Sequence, residues 1–441
     1  MNTPIYDFVR GYAEGSAARL HMPGHKGREY LGCEPLDITE IGGADVLYSP
    51  DGIIKESEDN ASALFGTAHT YYSTQGSTLA IQAMLALAIN GRKSDTPPTI
   101  LAARNVHKAF VNAAALLDIE VDWLYPDRSS HMCSAKVSAD SLDAALSSRK
   151  YAAVYITSPD YLGNVADISS LSEVCNRYSI PLLVDNAHGA YLAFAEPSMH
   201  PIALGAAMCA DSAHKTLPAL TGGAYLHISK AWSQYTDGAR NALSLFASTS
   251  PSYLILSSLD LTNRYLASDY PSSLCECIDR IDAIKREISI PTVPSEPLKM
   301  VFRCTDFGYT GSEFSAHLRN YGIECEFSDD TYTVLMITPS NTAQELDVLH
   351  TALKSIVPRV AIDCADPVVE QGERVMSIRR AILSPHDIIP VDEAVGRVAG
   401  TPTVSCPPAI PIVISGERIT DTAVALFKRY GIENIEVVKN A

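Results

Sequence analysis

The sequence predicts an α/β fold, with a large domain built on a mainly parallel sheet and a smaller α+β domain after it. The length of 441 residues exceeds one ordinary hydrophobic core. From about residue 61, short apolar runs of strand character alternate with helical segments, as in βαβ units. A proline-rich stretch at 290–297 marks a boundary. We therefore predict an N-terminal segment 1–60, a large domain 61–290 and a C-terminal α+β domain 291–441.

The elements of the large domain follow from hydrophobic periodicity. Strands are predicted at 99–103, 121–124, 152–156, 182–184 and 224–227. Helices are predicted at 61–65, 77–89, 140–148, 169–178 and 252–266. The apolar run 202–210 is predicted to be a buried strand that ends in a polar turn. Sheets of this kind bind their ligands at the carboxyl ends of the strands.

The two ends of the chain have a different character. Residues 1–60 begin with a helix-like stretch and continue with Gly-, Pro- and His-rich and acidic stretches that are typical of loops. In the C-terminal domain, strands are predicted at 300–304 and 333–337, and helices at 312–321, 343–356 and 421–429. The segment 404–411 is predicted to be a loop.

Charge and hydropathy narrow the classes of partner. The formal net charge of −17 argues against a nucleic-acid partner, because binding phosphates requires a basic surface, and it is compatible with a cationic substrate. The N-terminus lacks the basic start and apolar core of a secretory signal. The longest apolar helical run, Leu79 to Ile89, is shorter than a membrane span. We expect a cytoplasmic protein without a membrane partner.

The ten cysteines are scattered and include no Cys-x-x-Cys pair. Reduced thiols are therefore expected rather than a disulfide framework. Cys275 and Cys277 are separated by one residue, which is not a zinc-ligand spacing, and no histidine pair stands near them in the sequence. We expect no metal site.

A lysine follows the predicted strand at 202–210. Lys215 stands in the sequence Ser212-Ala-His-Lys, beside His214 and hydroxyl side chains. A lysine at the end of a strand can form a Schiff base with the aldehyde of pyridoxal 5'-phosphate (PLP), while Ser212 and His214 bind the phosphate. A solvated surface lysine is the alternative, so this segment needs support from others.

A second segment is suited to a phosphate. Gly76, Ser77 and Thr78 lie in a turn directly before the helix predicted at 77–89. Glycine lets the backbone approach an anion, and the helix start supplies N–H groups and the positive end of the dipole. A simple helix cap is the alternative interpretation of this segment.

Two more strand ends carry polar side chains. Asp185 ends the apolar strand predicted at 182–184, where a carboxylate can keep a pyridine nitrogen protonated. His188, three residues later, is a candidate for contact with cofactor or substrate. His107 follows the strand predicted at 99–103 and is a candidate to stack on the cofactor ring. The alternatives are a capping aspartate, a loop histidine and a helix-start histidine.

The order of these segments resembles the Orn/Lys/Arg decarboxylases, PLP enzymes with the aspartate aminotransferase fold. The resemblance covers nearly the whole chain and identifies it as a short member of the family. It rests on residues 21–27, 37–40, 104–108, 185–189, 212–221, 248–253 and 393–397.

The resemblance implies specific roles. Lys215 is the Schiff-base lysine, Asp185 binds the pyridine nitrogen, and His107 stacks on the ring. It also implies a homodimer with shared active sites, in which Thr249 reaches the phosphate of the neighbouring subunit. The residues that it places around the phosphate are Ser77, Thr78, Ser212 and His214.

The chain departs from the family at three places. Asn186 replaces an acidic residue, Gly222 begins a Gly-Gly pair where the family continues Thr-Gln, and Cys406 replaces a tyrosine. These changes leave the cofactor residues intact and bear on substrate recognition. The expected reaction is decarboxylation of lysine, ornithine or arginine to a polyamine-type amine. The alternatives are a PLP-dependent lyase or aminotransferase for another amino acid, and a non-catalytic PLP-binding homologue.

Overall fold

The computed structural model describes residues 1–91, 96–125, 131–134, 136–403 and 409–440. The α-helices are α1 (Pro4–Glu14), α2 (Ile53–Phe65), α3 (Gly76–Ile89), α4 (Lys108–Leu116), α5 (Ala139–Ser148), α6 (Ile168–Arg177), α7 (Ala213–Thr216), α8 (Thr236–Ser244), α9 (Tyr253–Leu266), α10 (Tyr270–Glu287), α11 (Gly311–Arg319), α12 (Ala343–Lys354), α13 (Ile378–Leu383) and α14 (Asp421–Arg429). Within the described residues, no helix is both long and apolar enough to cross a membrane.

The strands alternate with these helices over the first half of the chain. They are β1 (His69–Ser73), β2 (Thr99–Ala103), β3 (Glu120–Leu124), β4 (Ala153–Thr157), β5 (Leu182–Asp185), β6 (Met208–Asp211), β7 (Ala224–Ile228), β8 (Lys299–Arg303), β9 (Phe327–Ser328), β10 (Tyr332–Met336), β11 (His386–Pro390) and β12 (Asn434–Val438). Short 3-10 helices lie at Glu34–Leu36, Ala190–Phe194, Lys230–Tyr235, Cys304–Phe307 and Val391–Glu393.

The chain divides into two compact units. The first unit comprises Met1–Arg92 and Ile168–Ser273, and the second comprises Lys93–Asp167 and Leu274–Ala441. In the first unit, the strands lie in the order β1-β7-β6-β5, with β5 parallel to β6 and the other neighbours antiparallel. Helix α3 follows β1 and is buried over most of its length, because its apolar side chains surround the helix.

The second unit contains parallel and antiparallel strands. Strand β2 is parallel to both β3 and β4. A three-stranded antiparallel sheet has the order β8-β10-β9, and β11 pairs antiparallel with β12. Phe427 of α14 and Val437 of β12 are buried in one apolar cluster with Ile412. The predicted α/β class, with mainly parallel pairing in the large domain and a small C-terminal domain, is confirmed.

Most predicted elements lie within two residues of the observed ones, and the strand at 99–103 and the helix at 421–429 match fully. The strand predicted at 202–210 is wrong over most of its length, because only Met208–Asp211 is extended and residues 201–205 form turns. Pro201 has no backbone N–H, and Gly205 has a φ of +98°, so neither residue can continue a strand. The sequence predictions also missed β1, β9, β11 and β12.

A buried carboxylate fixes the N-terminal helix. Asp260 of α9 accepts hydrogen bonds from the backbone N–H groups of Ile5 and Tyr6, at 2.9 and 3.0 Å, and from the hydroxyl of Ser57. Burial raises the pKa of Asp260 to about 6, against the opposing effect of these hydrogen bonds. Helices α1, α2 and α9 are thereby joined through one side chain.

Candidate active site

The turn between β1 and α3 is shaped for an anion. Gly76 has a φ of +69°, and its backbone N–H donates to the carbonyl of Gly222 at 2.8 Å. The side chain of Gln75, at the N-cap position of α3, makes no capping hydrogen bond. The first turn of α3 therefore presents backbone N–H groups and the positive end of the helix dipole. Ser77 is half-buried and Thr78 is exposed at this end of the helix.

A hydroxyl pair joins this turn to the end of β6. Ser212 follows β6 directly and occupies the N-cap position of α7. Its hydroxyl donates to the Oγ of Ser77 at 2.8 Å. The hydroxyl of Ser77 at the helix start adds a donor for a phosphate to those of the backbone. The structure thus brings Gly76, Ser77 and Ser212 together.

His214 closes the turn that carries Lys215. Its backbone N–H and its Nδ1–H both donate to the carbonyl of Gly223, at 3.2 and 3.0 Å. Burial lowers the pKa of His214, and the neighbouring charge of Lys215 lowers it further, while the hydrogen bond to Gly223 opposes them. The hydrogen bond places a proton on Nδ1 of His214, and the two contacts with Gly223 fix the ends of the turn 214–223.

Gly222 has a structural reason to be glycine. Its φ is +98°, and a Cβ atom at this position would lie 3.1 Å from the carbonyl oxygen of Thr74 and 3.1 Å from Cδ1 of Ile255. Any side chain here would strain the contact between this turn and the turn before α3. The departure from the family at Gly222 shapes the candidate phosphate site.

Asp185 and Lys215 follow neighbouring parallel strands. Asp185 ends β5, is 2% exposed, and accepts a hydrogen bond from the backbone N–H of Ala187 at 3.2 Å. In the β5–β6 pairing, its partner is Ala210, two residues before Ser212. Lys215 is exposed in α7, a short helix that follows β6. Both residues therefore lie at the carboxyl edge of one sheet, and the buried His188 follows Asp185 in the same loop.

The residue after Asp185 faces the other way. Asn186 is fully buried, and its Nδ2 donates to Oδ1 of Asp211 at 2.7 Å. Its backbone N–H donates to the carbonyl of Ala210, which extends the strand pairing by one residue. Because side chains alternate along a strand, Asn186 and Asp211 share the face opposite to that of Asp185. An acidic residue at 186 would place a second carboxylate against Asp211, which accounts for the amide.

Two predicted site residues, His107 and Thr249, lie outside this group. His107 belongs to the second unit and is the N-cap of α4, where its Nδ1 accepts the backbone N–H of Ala109 at 3.1 Å. Thr249 lies in an exposed turn of the first unit. Cys406 lies outside the described residues. The stacking role of His107 and the partner contact of Thr249 stay predictions.

Arg104 of the sequence motif at 104–108 has a role that the sequence did not predict. The guanidinium is 1% exposed and donates to the carbonyls of Pro411 and Ile412, at 2.8 and 3.0 Å. The backbone N–H of Lys108 donates to the carbonyl of Ala409 at 2.9 Å. Both ends of this motif therefore bind the C-terminal segment within the second unit, at positions about three hundred residues away in sequence.

Comparisons with known proteins cover most of the chain. The family model "Orn/Lys/Arg decarboxylase, major domain" matches residues 3–300, and the model of the C-terminal domain of that family matches residues 372–431. An arginine decarboxylase of Bacillus subtilis is 30% identical over 465 residues, which cover 97% of this chain and 93% of the relative. The lysine decarboxylase LdcA of Pseudomonas aeruginosa is 24% identical over 63% of this chain and 40% of its own length.

Solved structures show the same fold. The lysine decarboxylase LdcF of Francisella novicida superposes with a TM-score of 0.80 at 15% identity, over 99% of this chain and 81% of that structure. Lysine decarboxylase A from Pseudomonas aeruginosa has a TM-score of 0.79 at 16% identity, over 99% of this chain and 80% of that structure. The family models together with these likenesses show that the chain belongs to the Orn/Lys/Arg decarboxylase family.

Proposed function

We propose that the protein is a PLP-dependent decarboxylase that converts a basic amino acid, arginine, lysine or ornithine, to the corresponding polyamine-type amine and carbon dioxide. The observation that carries the proposal is the arrangement in the first unit. There, the buried Asp185, the hydroxyl-lined start of α3 and the lysine of α7 follow strands of one sheet. Membership of the family supports the reaction type.

The residues of the first unit fit PLP. The start of α3, Ser77 and Ser212 offer backbone and hydroxyl donors for the phosphate, with Thr78 and His214 beside them. Lys215 would bind the aldehyde, Asp185 would bind the pyridine nitrogen, and His188 would contact the cofactor or the substrate. The space beside Gly76 is open to a phosphate, because a Cβ atom at its position would meet nothing within 4 Å.

Each residue has a definite task in the reaction. When bound, PLP supplies a conjugated ring that accepts the electron pair left by the departing carboxylate. The carboxylate of Asp185 would hold a proton on the ring nitrogen and so keep the ring electron-poor. After carbon dioxide has left, the amine of Lys215 would return one proton to the α-carbon, and the product would be an amine.

The relatives and the charge of the chain guide the choice of substrate. Relatives named arginine decarboxylase align over 94–97% of this chain at 28–30% identity. The net charge of −17 favours the approach of a cationic amino acid. We therefore propose arginine as the first of the three amino acids to be tested as a substrate. The contacts of Asn186 and Gly222 give a structural reason for two of the three departures that favoured another amino acid.

We further propose a cytoplasmic homodimer with shared active sites. Large apolar side chains are exposed in the N-terminal segment, as expected of a surface that another subunit covers: Leu20 (94%), Met22 (69%), Tyr30 (78%) and Leu31 (89%). The exposed Thr249 is available to reach a partner's phosphate. The nine cysteines of the described residues form no disulfide, as expected in a reducing compartment.

The first experiment tests the cofactor. The purified chain is incubated with PLP, reduced with borohydride and digested, and the peptides are analysed by mass spectrometry. We expect a pyridoxyl adduct on Lys215, because reduction fixes a Schiff base as a stable amine. The adduct should disappear in Lys215→Ala and persist in Lys230→Ala, which removes another exposed lysine of the first unit. A chain without an adduct on Lys215 would refute the cofactor assignment.

The second experiment tests the reaction. Carboxyl-labelled arginine, lysine and ornithine are supplied to the PLP-loaded chain, and the released carbon dioxide is counted. Release from at least one of them, lost in Lys215→Ala, is expected. An adduct on Lys215 without release from any of the three would leave the cofactor assignment standing and overturn the decarboxylase proposal.

A further inference from the structure

Four metal-ligating side chains lie together in the first unit, on the face of the sheet opposite to Asp185. We call His200, Cys209, Asp211 and His227 the His–Cys–Asp cluster. All four are at most 1% exposed. Their donor atoms lie within 4.8 Å of one another. None of the four belongs to the sequence motifs described above, although Asp211 directly precedes Ser212.

The strands hold three of these side chains on one rigid surface. Cys209 and Asp211 are two residues apart on β6 and therefore share a face. His227 is the direct cross-strand partner of Cys209 in the antiparallel β6–β7 pair. His200 approaches the same face from the turns that precede β6. Donors placed on paired strands are preorganised more accurately than donors on loops.

Three of the spacings between donor atoms are close to those around a tetrahedral metal ion. Nε2 of His200 and Nε2 of His227 lie 3.0 and 3.2 Å from Oδ2 of Asp211, and Sγ of Cys209 lies 3.8 Å from Nε2 of His200. Around tetrahedral zinc, nitrogen and oxygen donors are about 3.3 Å apart, and a sulfur lies about 3.6 Å from either. The four side chains would thus surround an ion after small adjustments.

The surroundings of the cluster resemble those of metal ligands. Asn186 donates to Oδ1 of Asp211 at 2.7 Å, and so fixes the carboxylate through its other oxygen. Nδ1 of His227 lies 2.9 Å from the hydroxyl of Thr70, which can accept its proton while Nε2 binds a metal. Such outer contacts orient histidine and carboxylate ligands in metal sites.

A metal ion would be an alternative to the hydrogen bonds within the cluster, and the charges of its ligands would balance. In a metal-free network, both histidines donate to Asp211, and Nδ1 of His200 accepts the backbone N–H of Ile202 at 3.4 Å. Metal binding at Nε2 would place the proton of His200 on Nδ1, so the contact with the backbone N–H of Ile202 would open. A divalent cation with the carboxylate, a thiolate of Cys209 and two neutral imidazoles has a net charge of zero.

We propose that the His–Cys–Asp cluster is a structural Zn²⁺ site. Nitrogen, oxygen and sulfur donors together suit zinc, and four protein ligands leave no position for a substrate. Binding displaces the thiol proton of Cys209 to solvent, and the ion is neither oxidised nor reduced. The site joins β6, β7 and the turns that precede β6, and its ligand Asp211 lies one residue before Ser212. The sequence led us to expect no metal site, because these ligands are irregularly spaced along the chain.

The test uses the untagged full chain, expressed in zinc-supplemented medium and dialysed against a chelator. We expect about one zinc per chain by elemental analysis, because a buried structural site exchanges slowly. Cys209→Ala should lower the zinc content at least about tenfold. The matched control, Cys175→Ala, removes another buried thiol of the first unit and should retain the metal.

A second measurement, on the wild-type chain, tests the site even if the Cys209→Ala variant does not fold. The wild-type chain is unfolded with a chelator and refolded with Co²⁺, and the near-ultraviolet spectrum is recorded. A thiolate-to-cobalt absorption band at one equivalent supports the site. A wild-type chain that folds metal-free and shows no such band overturns the proposal, as does a folded Cys209→Ala variant with full zinc content.

Discussion

Asp185 and Asp211 end the neighbouring strands β5 and β6, and they differ in the face of the sheet that they occupy. Asp185 is paired with Ala210, so the next residues, Asn186 and Asp211, lie together on the opposite face. Asp211 is held there by two histidines, whereas Asp185 lies on the side that we assign to the cofactor. Because Asp185 and Asp211 are one residue apart in the pairing of β5 with β6, their carboxylates lie on opposite faces of the sheet. We assign one to the reaction and the other to the stability of the fold.

The largest effect should come from Asp211→Ala. The change removes the shared partner of His200, His227 and Asn186 in a fully buried position. Loss of one partner from a buried, hydrogen-bonded charge cluster costs about 3–5 kcal/mol of unfolding free energy. Urea unfolding followed by circular dichroism measures the difference from the wild-type chain.

The control for this change is an aspartate of the same unit on the surface. Asp59 pairs with Lys55 one helical turn away in α2, with both side chains about half exposed. Asp59→Ala should lower the unfolding free energy by no more than about 0.5 kcal/mol. Equal losses in the two variants would contradict the structural importance assigned to Asp211.

The next effect should come from Asp185→Asn, and it should appear in activity. An amide cannot hold the ring nitrogen protonated, so we expect kcat/KM for the preferred amino acid to fall about 10²- to 10³-fold. The unfolding free energy should change by less than about 1 kcal/mol, because the amide nearly matches the carboxylate in shape. Steady-state release of carbon dioxide measures kcat/KM, and urea unfolding of the same preparation measures the unfolding free energy. An active Asp185→Asn variant would remove Asp185 from the chemistry.

The sequence predicts this part of the molecule unevenly. Periodicity and strand-end polarity locate β2, β5 and α3 well, because these signals are local. They also select Asp185 and Lys215, since parallel strands bring their carboxyl ends to one edge. The cross-strand pairing of Cys209 with His227 depends on register with the antiparallel β7, which a single sequence does not specify. The contacts of Arg104 with carbonyls about three hundred residues away are equally non-local.

The smallest effect should come from Asn186→Asp, which tests why the chain departs from its family at this residue. The new carboxylate would lie where Nδ2 of Asn186 now donates to Asp211 at 2.7 Å, in a fully buried position. Two carboxylates at this distance cannot both be ionised without cost, so we expect the unfolding free energy to fall by about 2 kcal/mol. Asn186→Ala, which removes the donor without adding a charge, should cost about 1 kcal/mol. The contrary result is an Asn186→Asp variant that is as stable as the wild-type chain but has a changed preference among arginine, lysine and ornithine. Asn186 would then be a substrate-recognition residue, as its departure from the family first suggested.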